Sequence, residues 1–413
     1  MQSSKHDTAD ARSGGQDEEE GVHFQKVIAT HQHYSKYATS ANNRRRKDFL
    51  SLPREDRQLL ENIGYSSRLD EVDAAILKNK HFIDQLVEHP EIFGVAGEEI
   101  GDLGGCDEAD GHQHQHTESS HPHSHSHSHY APALQSNNNS YKPLEADLDK
   151  LRSTLKQLVR DWSTEGEDER KASYGPMKDA LLAHFVNVPE EERVEKRVLI
   201  PGAGLGRLAF DVASLGFACQ GNEFSHYMLL ASHFILNRTT HVEQQEIYPY
   251  VHSLSNALDK KSVLRSVKIP DVLPSSLPPD SDFSLVAGDF EEIYGAEYEV
   301  DSLEPQSGQW DAVMTCFFID TAKNIINYLR IIHRILAPGG VWINLGPLLW
   351  HWENNQTNDL SVELDLQQVK ALAREIGFDI SNEREIPSTY TNNSHSMLRY
   401  TYNAAFWTAT KRA

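Results

Sequence analysis

The chain has 413 residues, with 39 Lys and Arg against 61 Asp and Glu, a net charge of −22, 22 His and three Cys. Phosphate backbones and anionic membranes select clustered basic residues, so this balance excludes a general nucleic-acid or membrane-surface binder. Cys106, Cys219 and Cys316 are too scattered for a disulfide scaffold or an all-cysteine zinc module, and no run nears the ~18 apolar residues of a membrane span. The expectation is a soluble, cytoplasmic protein. Arg44-Arg45-Arg46-Lys47 is a candidate nuclear address, although such a run also suits a solvated helix.

Residues 1–20 are small, polar and acidic and are expected to be disordered. Over 21–95 apolar residues recur at helical spacing (Phe24, Val27, Ile28; Leu59, Leu60, Ile63; Val72, Ala75, Ile76; Phe82, Ile83, Leu86), which predicts a helical region. Pro53 reads as the first turn of one of its helices. These helices also offer a surface on which two chains could pair as a homodimer. Residues 96–142 form a low-complexity linker with eight histidines between His112 and His129. Such a tract can scavenge metal loosely, but no packed core is possible there and no dedicated metal site is expected. Deleting 104–140 is expected to leave catalytic turnover nearly unchanged, and initial rates of the deletion variant check this.

From residue 143 to 413 the pattern changes to alternating strands and helices. A helix from Leu144 carries Leu148, Leu151, Leu155, Leu158 and Val159 into Trp162. Strands are predicted at 197–200, 218–222, 283–286, 312–317 and 341–346, with helices at 206–214, 225–237 and 324–336. That alternation means βαβ units and a mostly parallel sheet. Phe378–Ser381 and Leu398–Thr408 are expected to close it as an antiparallel edge pair. Residues 253–281, with several prolines, read as an insertion over the surface.

The sharpest local signal is Val198-Leu199-Ile200-Pro201-Gly202-Ala203-Gly204-Leu205-Gly206-Arg207, an apolar strand entering a glycine turn and then a helix. Glycines let backbone pass close to a ligand, and a helix start offers free N–H groups. Dinucleotide enzymes want G-x-G-x-x-G. Here the spacing is G-x-G-x-G, with Arg207 at the final dinucleotide position, which suits a cofactor without pyrophosphate such as S-adenosylmethionine (SAM). Glu223 ends the second strand, where an acid can accept both ribose hydroxyls; that placement fits NAD and SAM alike. Asp289-Phe290 puts an acid and an aromatic where an adenine could lie, and Leu336-Ala337-Pro338-Gly339-Gly340 joins a helix to a strand.

These ordered elements resemble class I SAM-dependent methyltransferases, with a Rossmann-like sheet. A second set of motifs narrows the resemblance: Gln157–Trp162, Pro201–Arg207, Cys219–Ser225, Cys316–Thr321 and Gly346–His351 are similar to the carnosine N-methyltransferase family. The resemblance implies methyl transfer from SAM to a ring nitrogen of the histidine in carnosine (β-alanyl-histidine), giving anserine, with other small His-containing peptides as further substrates. It also implies that Gln157, Arg160, Gly202, Gly204, Glu223, Asp289, Phe290 and Cys316 line the cofactor site. Asp320, His351, Tyr390 and Tyr402 would hold the dipeptide, with Asp320 and His351 at the reacting ring. No metal is implied.

The residue types suit that chemistry. Neutral imidazole has one lone-pair nitrogen and one N–H. A carboxylate at Asp320 accepting the N–H would aim the other nitrogen at the methyl and stabilise the ring as it becomes cationic. Trp350 and Trp352 flank His351 and could wall the substrate. Asp320 could also be a helix N-cap. A methyltransferase for histidine or amines in larger proteins, or a nicotinamide oxidoreductase, remain competing readings at this point.

Overall fold

The computed structural model describes residues 6–89, 141–295, 305–355 and 359–412, the stretch 6–19 by backbone only. All of the expected linker except Tyr141 and Lys142, its histidine tract included, lies outside the described residues.

Three helices open the chain: α1 (His6–Ser51), α2 (Arg54–Asn62) and α3 (Tyr65–Leu86). Because α1 starts at His6, the expectation of disorder over 1–20 is corrected for most of that stretch. The reason is cooperative: once the segment after Phe24 is packed, each added residue gains a backbone bond without a new nucleation cost. Then follow α4 (Glu145–Trp162), α5 (Glu167–His184), β1 (Arg197–Pro201), α6 (Arg207–Ala213), β2 (Ala218–Glu223) and α7 (His226–Arg238). Next come β3 (Gln245–Ile247), α8 (Lys261–Leu264), β4 (Val267–Ile269), β5 (Phe283–Ala287), α9 (Phe290–Tyr294) and β6 (Trp310–Cys316). The chain ends with α10 (Ile325–Ile335), β7 (Leu336–Gly346), α11 (Leu366–Ile376), β8 (Phe378–Ser388) and β9 (Tyr402–Lys411).

Seven strands form one sheet in the order β5-β2-β1-β6-β7-β9-β8. The first five are parallel, while β9 runs antiparallel to both β7 and β8. The order reverses between β1 and β6, and in an open sheet the ligand crevice lies beyond the carboxyl ends at that switch. The expected antiparallel edge pair is therefore present, with β8 longer than expected and β9 starting later, at Tyr402. Burial on both faces explains the near-continuous apolar runs Val198–Ile200 and Ala312–Met314.

The N-terminal helices are part of this domain's core. Phe24, Val27, Val72, Ile76 and Ile83 are buried with Leu151 and Leu155 of α4 and Tyr227 and Phe234 of α7. The apolar stripe of these helices is thus turned onto the chain's own α4 and α7. The proline-rich 253–281 segment also departs from expectation. Its strand β4 pairs with β3, Val267 and Ile269 are buried, and Asp271 receives Arg170 and Arg207. It is a structural brace under the sheet's ligand edge more than a surface insertion.

No helix among the described residues is long and apolar enough to cross a membrane.

Candidate active site

The glycine turn leaves β1 at the switch point. Gly202, Gly204 and Gly206 have φ of +66°, +56° and +80°, where side chains are strained. At Gly202 a Cβ would also sit 2.5 Å from the Phe318 ring, so the turn lies flat against the tip of β6. The turn is pinned from both sides. Ala203 N–H donates to Asn222 O at 2.9 Å, and Trp162 Nε1 donates to Leu205 O at 3.0 Å.

Glu223 ends β2 beneath this turn. Its Oε2 accepts the Gly204 N–H at 2.7 Å, and Oε1 accepts those of Ser225 at 2.8 Å and Phe224 at 3.0 Å. Burial nevertheless raises its carboxyl above the usual range, against the opposing pull of those three amides. A carboxylate offers about four lone-pair positions, so capacity remains for a ribose hydroxyl. Asp289 caps α9, with Oδ1 accepting from Glu291 N–H at 2.7 Å and Glu292 N–H at 3.3 Å. Phe290 follows it and is 3% exposed, its ring packed among Tyr294, Phe318 and Tyr328.

The other wall comes from α4. Gln157 and Arg160 are buried one helical turn apart, on the same face. Arg160 Nη1 donates to Asp161 Oδ1 at 3.1 Å and to Tyr174 Oη at 2.7 Å, while Tyr174 donates to Asp161 Oδ1 at 2.8 Å. The guanidinium lies between the rings of Tyr174 and Tyr390, 4.8 Å from each centroid. On this wall Arg160 Nη2 and Nε and Gln157 Oε1 are buried without a hydrogen-bond partner among the described residues. Buried orphan donors and acceptors are costly unless a ligand satisfies them. A cation-side donor beside an amide acceptor matches the carboxylate and ammonium of an α-amino acid. Cys316 closes this end; burial lifts its thiol to about 11, so it stays a neutral wall residue beside Arg160.

The side that the sequence motifs give to the substrate begins one residue further along. Phe317 has φ +53°, strained for an aromatic residue, and its N–H donates to Leu345 O at 2.8 Å. Gly346 permits this, since a Cβ there would be 3.2 Å from Phe317 Cα. The Phe317 ring touches Tyr390 at 4.9 Å and Tyr402 at 5.8 Å between centroids. Tyr390 bridges the two halves: its phenol accepts from Gln157 Nε2, and burial raises it to about 12. Tyr402 is half-buried, and that burial, with the Asp320 carboxylate adding to it, raises its phenol.

Asp320 lies in the single turn Ile319–Thr321 just past β6 and is 3% exposed. Its side chain does not cap a helix. Oδ2 instead accepts the Leu349 N–H at 2.8 Å across the gap to the segment after β7. The Asp320 carbonyl accepts the His351 N–H at 3.1 Å, so main-chain bonds bring the two expected substrate residues together. Burial raises the Asp320 carboxyl to about 7, and among the described residues no cation offsets it. The flanking indoles do less than expected. Trp352 is buried with its N–H on Thr321 O, and Lys323 already covers its ring at 4.3 Å. Trp350 Nε1 donates to Leu364 O.

Residues the sequence reading missed are Phe317, Tyr174, Asp161 and Glu169. Phe317 and Asp161 lay inside quoted motifs. Tyr174 and Glu169 lie on α5, which the strand–helix alternation left unassigned. Among the described residues no group of His, Cys, Asp and Glu could hold a metal ion.

Unpartnered atoms on a buried amide and guanidinium, a buried acid at the end of β2 and a G-x-G-x-G turn together favour SAM over a nicotinamide dinucleotide. The chain is a class I SAM-dependent methyltransferase. A family model described as carnosine N-methyltransferase matches residues 137–413. Carnosine N-methyltransferase of Mus musculus is 38% identical over 406 residues, covering 97% of this chain and 89% of that protein. The Schizosaccharomyces pombe protein of the same name is 37% identical over 401 residues, covering 95% and 96% respectively. The chain belongs to the carnosine N-methyltransferase family.

Proposed function

We propose that the chain transfers the methyl group of SAM to an imidazole nitrogen of carnosine, giving anserine. The observation that carries this reading is the buried, cation-free carboxylate of Asp320, joined to His351 by a main-chain bond at the strand tips. Held without a counter-charge, it is poorly matched to the resting protein and well matched to a ring that becomes cationic as it reacts. An interaction that strengthens toward the transition state is one that accelerates chemistry.

SAM supplies an electrophilic methyl with a neutral thioether as leaving group. Arg160 and Gln157 hold the amino-acid end, Glu223 the ribose and Asp289 the base. Asp320 accepts the imidazole N–H and so selects which nitrogen carries the free lone pair. No strong base is needed, because free imidazole titrates near 6.5 and is largely neutral at cellular pH. His351, Tyr390 and Tyr402 hold the rest of the dipeptide, and the protein's task is alignment.

Incubating the purified enzyme with labelled SAM and carnosine, free histidine, other His-dipeptides and a protein extract tests this. Carnosine is expected to take the label at the ring. Label appearing only in large proteins would replace the dipeptide reading.

The pH profile is a second expected result. Turnover requires Asp320 ionised and the imidazole neutral, and both conditions fail as pH falls. With Asp320 near 7 and the ring near 6.5, kcat/KM should rise from pH 6 to a plateau above pH 8. Its acid limb should approach a slope of two, and a flat profile across pH 5.5–8 would contradict the role of Asp320.

A further inference from the structure

Tyr390 sits at the start of an irregular strap, residues 389–401, that joins β8 to β9 across the crevice. The strap has two anchors. At its far end Ser262 Oγ donates to His395 O at 2.7 Å and Met397 N–H donates to Asn256 O at 2.9 Å. At the near end a single carboxylate, Glu169 in the first turn of α5, gathers four groups. Oε1 accepts the Thr391 N–H at 2.6 Å and lies 3.2 Å from Arg160 Nε. Oε2 accepts the Thr389 hydroxyl at 3.2 Å and the Asn392 N–H at 3.3 Å. The Glu169 side chain is only 11% exposed, so these bonds are sheltered from competing water.

The residues it grips lie on both sides of Tyr390, and Thr391 is held at φ +51°, a conformation a free threonine seldom visits. Local strain of this kind persists where surrounding bonds impose it. We propose that Glu169 is the positioning residue that sets Tyr390 over the dipeptide pocket; this rests on the carnosine reading above. Through Arg160 it also ties the strap to the cofactor's amino-acid end. Removing its charge leaves Arg160 paired with Asp161, so cofactor binding is expected to survive while the strap loosens.

The test is steady-state kinetics with carnosine, together with SAM titration by calorimetry. Glu169→Gln should raise the carnosine KM about tenfold through misplacement of Tyr390. SAM affinity should stay within about twofold and the melting temperature within a few degrees, since Asp161 still pairs Arg160. In a Tyr390→Ala background the same substitution should add less than about twofold, because residues acting as one unit are not additive. Thr389→Val, which removes one hydroxyl donor, should move KM in the same direction by a smaller factor and serves if Glu169→Gln folds poorly. Wild-type kinetics for Glu169→Gln, or effects that multiply in the double variant, would overturn the positioning role while leaving the substrate reading intact. Absence of carnosine turnover by the wild-type enzyme would overturn the substrate reading itself.

Discussion

Asp320→Asn is expected to lower kcat/KM for carnosine by about 10³-fold, the upper range for losing one preorganised charge contact in a dry site. Asparagine keeps the shape and can still accept the Leu349 N–H through its carbonyl oxygen. What disappears is the negative charge that steadies the ring as it turns cationic. SAM affinity should stay within about threefold, since the proposed reading gives Asp320 to the dipeptide and the cofactor's polar contacts to other residues. The same variant should melt at a higher temperature at neutral pH. In the wild type the Asp320 carboxyl, at about 7 in the folded state, lies above the unfolded value near 3.9, so the folded state binds the extra proton between those limits. Stability therefore falls as pH rises from about 4 to 7 and stays lowered above that range. Asparagine removes this penalty, and a gain of a few degrees by calorimetry at pH 8, absent at pH 4, is the expected signature. A variant that lost SAM binding together with turnover would mean that Asp320 serves the cofactor or the fold.

That trade of stability for reactivity was not visible in the sequence, although the residue was. The motif Cys316–Thr321 placed an acid after the fourth parallel strand. Burial without a counter-charge follows only from how the turn Ile319–Thr321 folds under the segment after β7. The sheet itself was legible because each parallel strand is a short apolar run bounded by charge, glycine or proline, as in Arg197-Val198-Leu199-Ile200-Pro201. Helix α5 was not. Its sequence places Pro176 mid-helix and buries only Arg170, Ser173, Tyr174, Met177 and Leu181, a stripe half polar, so the hydrophobic period is faint. Helix α11 carried a readable start, since Asp365 and Gln368 form a capping box. Strands β3 and β4 are three residues each, below the length at which alternation can be recognised.

Site residues divide along the same line. Gln157 and Arg160 share one helical face, a periodic relation any sequence shows. Tyr174 and Glu169 meet Arg160 only because α5 folds back beside α4, fixed by Arg170 donating to the carbonyls of Arg160 at 2.7 Å and Ser163 at 2.8 Å. The strained φ of Phe317 had no signal at all, because strain at a non-glycine residue is imposed by neighbours, here Gly346 and Leu345.

The second large effect concerns Arg160. Arg160→Ala should weaken SAM binding about 100-fold, near 3 kcal/mol, in the range for truncating one side of a buried charge pair. On the proposed assignment two losses combine there: the cofactor's carboxylate forfeits the Nη2 donor, and the buried carboxylates of Asp161 and Glu169 lose their cation. The second loss destabilises the free enzyme too, so the apo melting temperature should drop. Arg160→Lys separates the terms. An ammonium can restore charge near Asp161 but cannot supply a fork that serves Asp161, Tyr174 and a ligand together. Its melting temperature is therefore expected to recover more fully than its SAM affinity, which should remain at least about tenfold below wild type. Calorimetric titration of both variants with SAM and with its demethylated product checks this. The neutral product should suffer as much as SAM, because the amino-acid carboxylate is common to both and the sulfonium charge is not what Arg160 reads. Weakening confined to SAM would place the guanidinium near the reacting sulfur and overturn the assignment of Nη2 to the carboxylate.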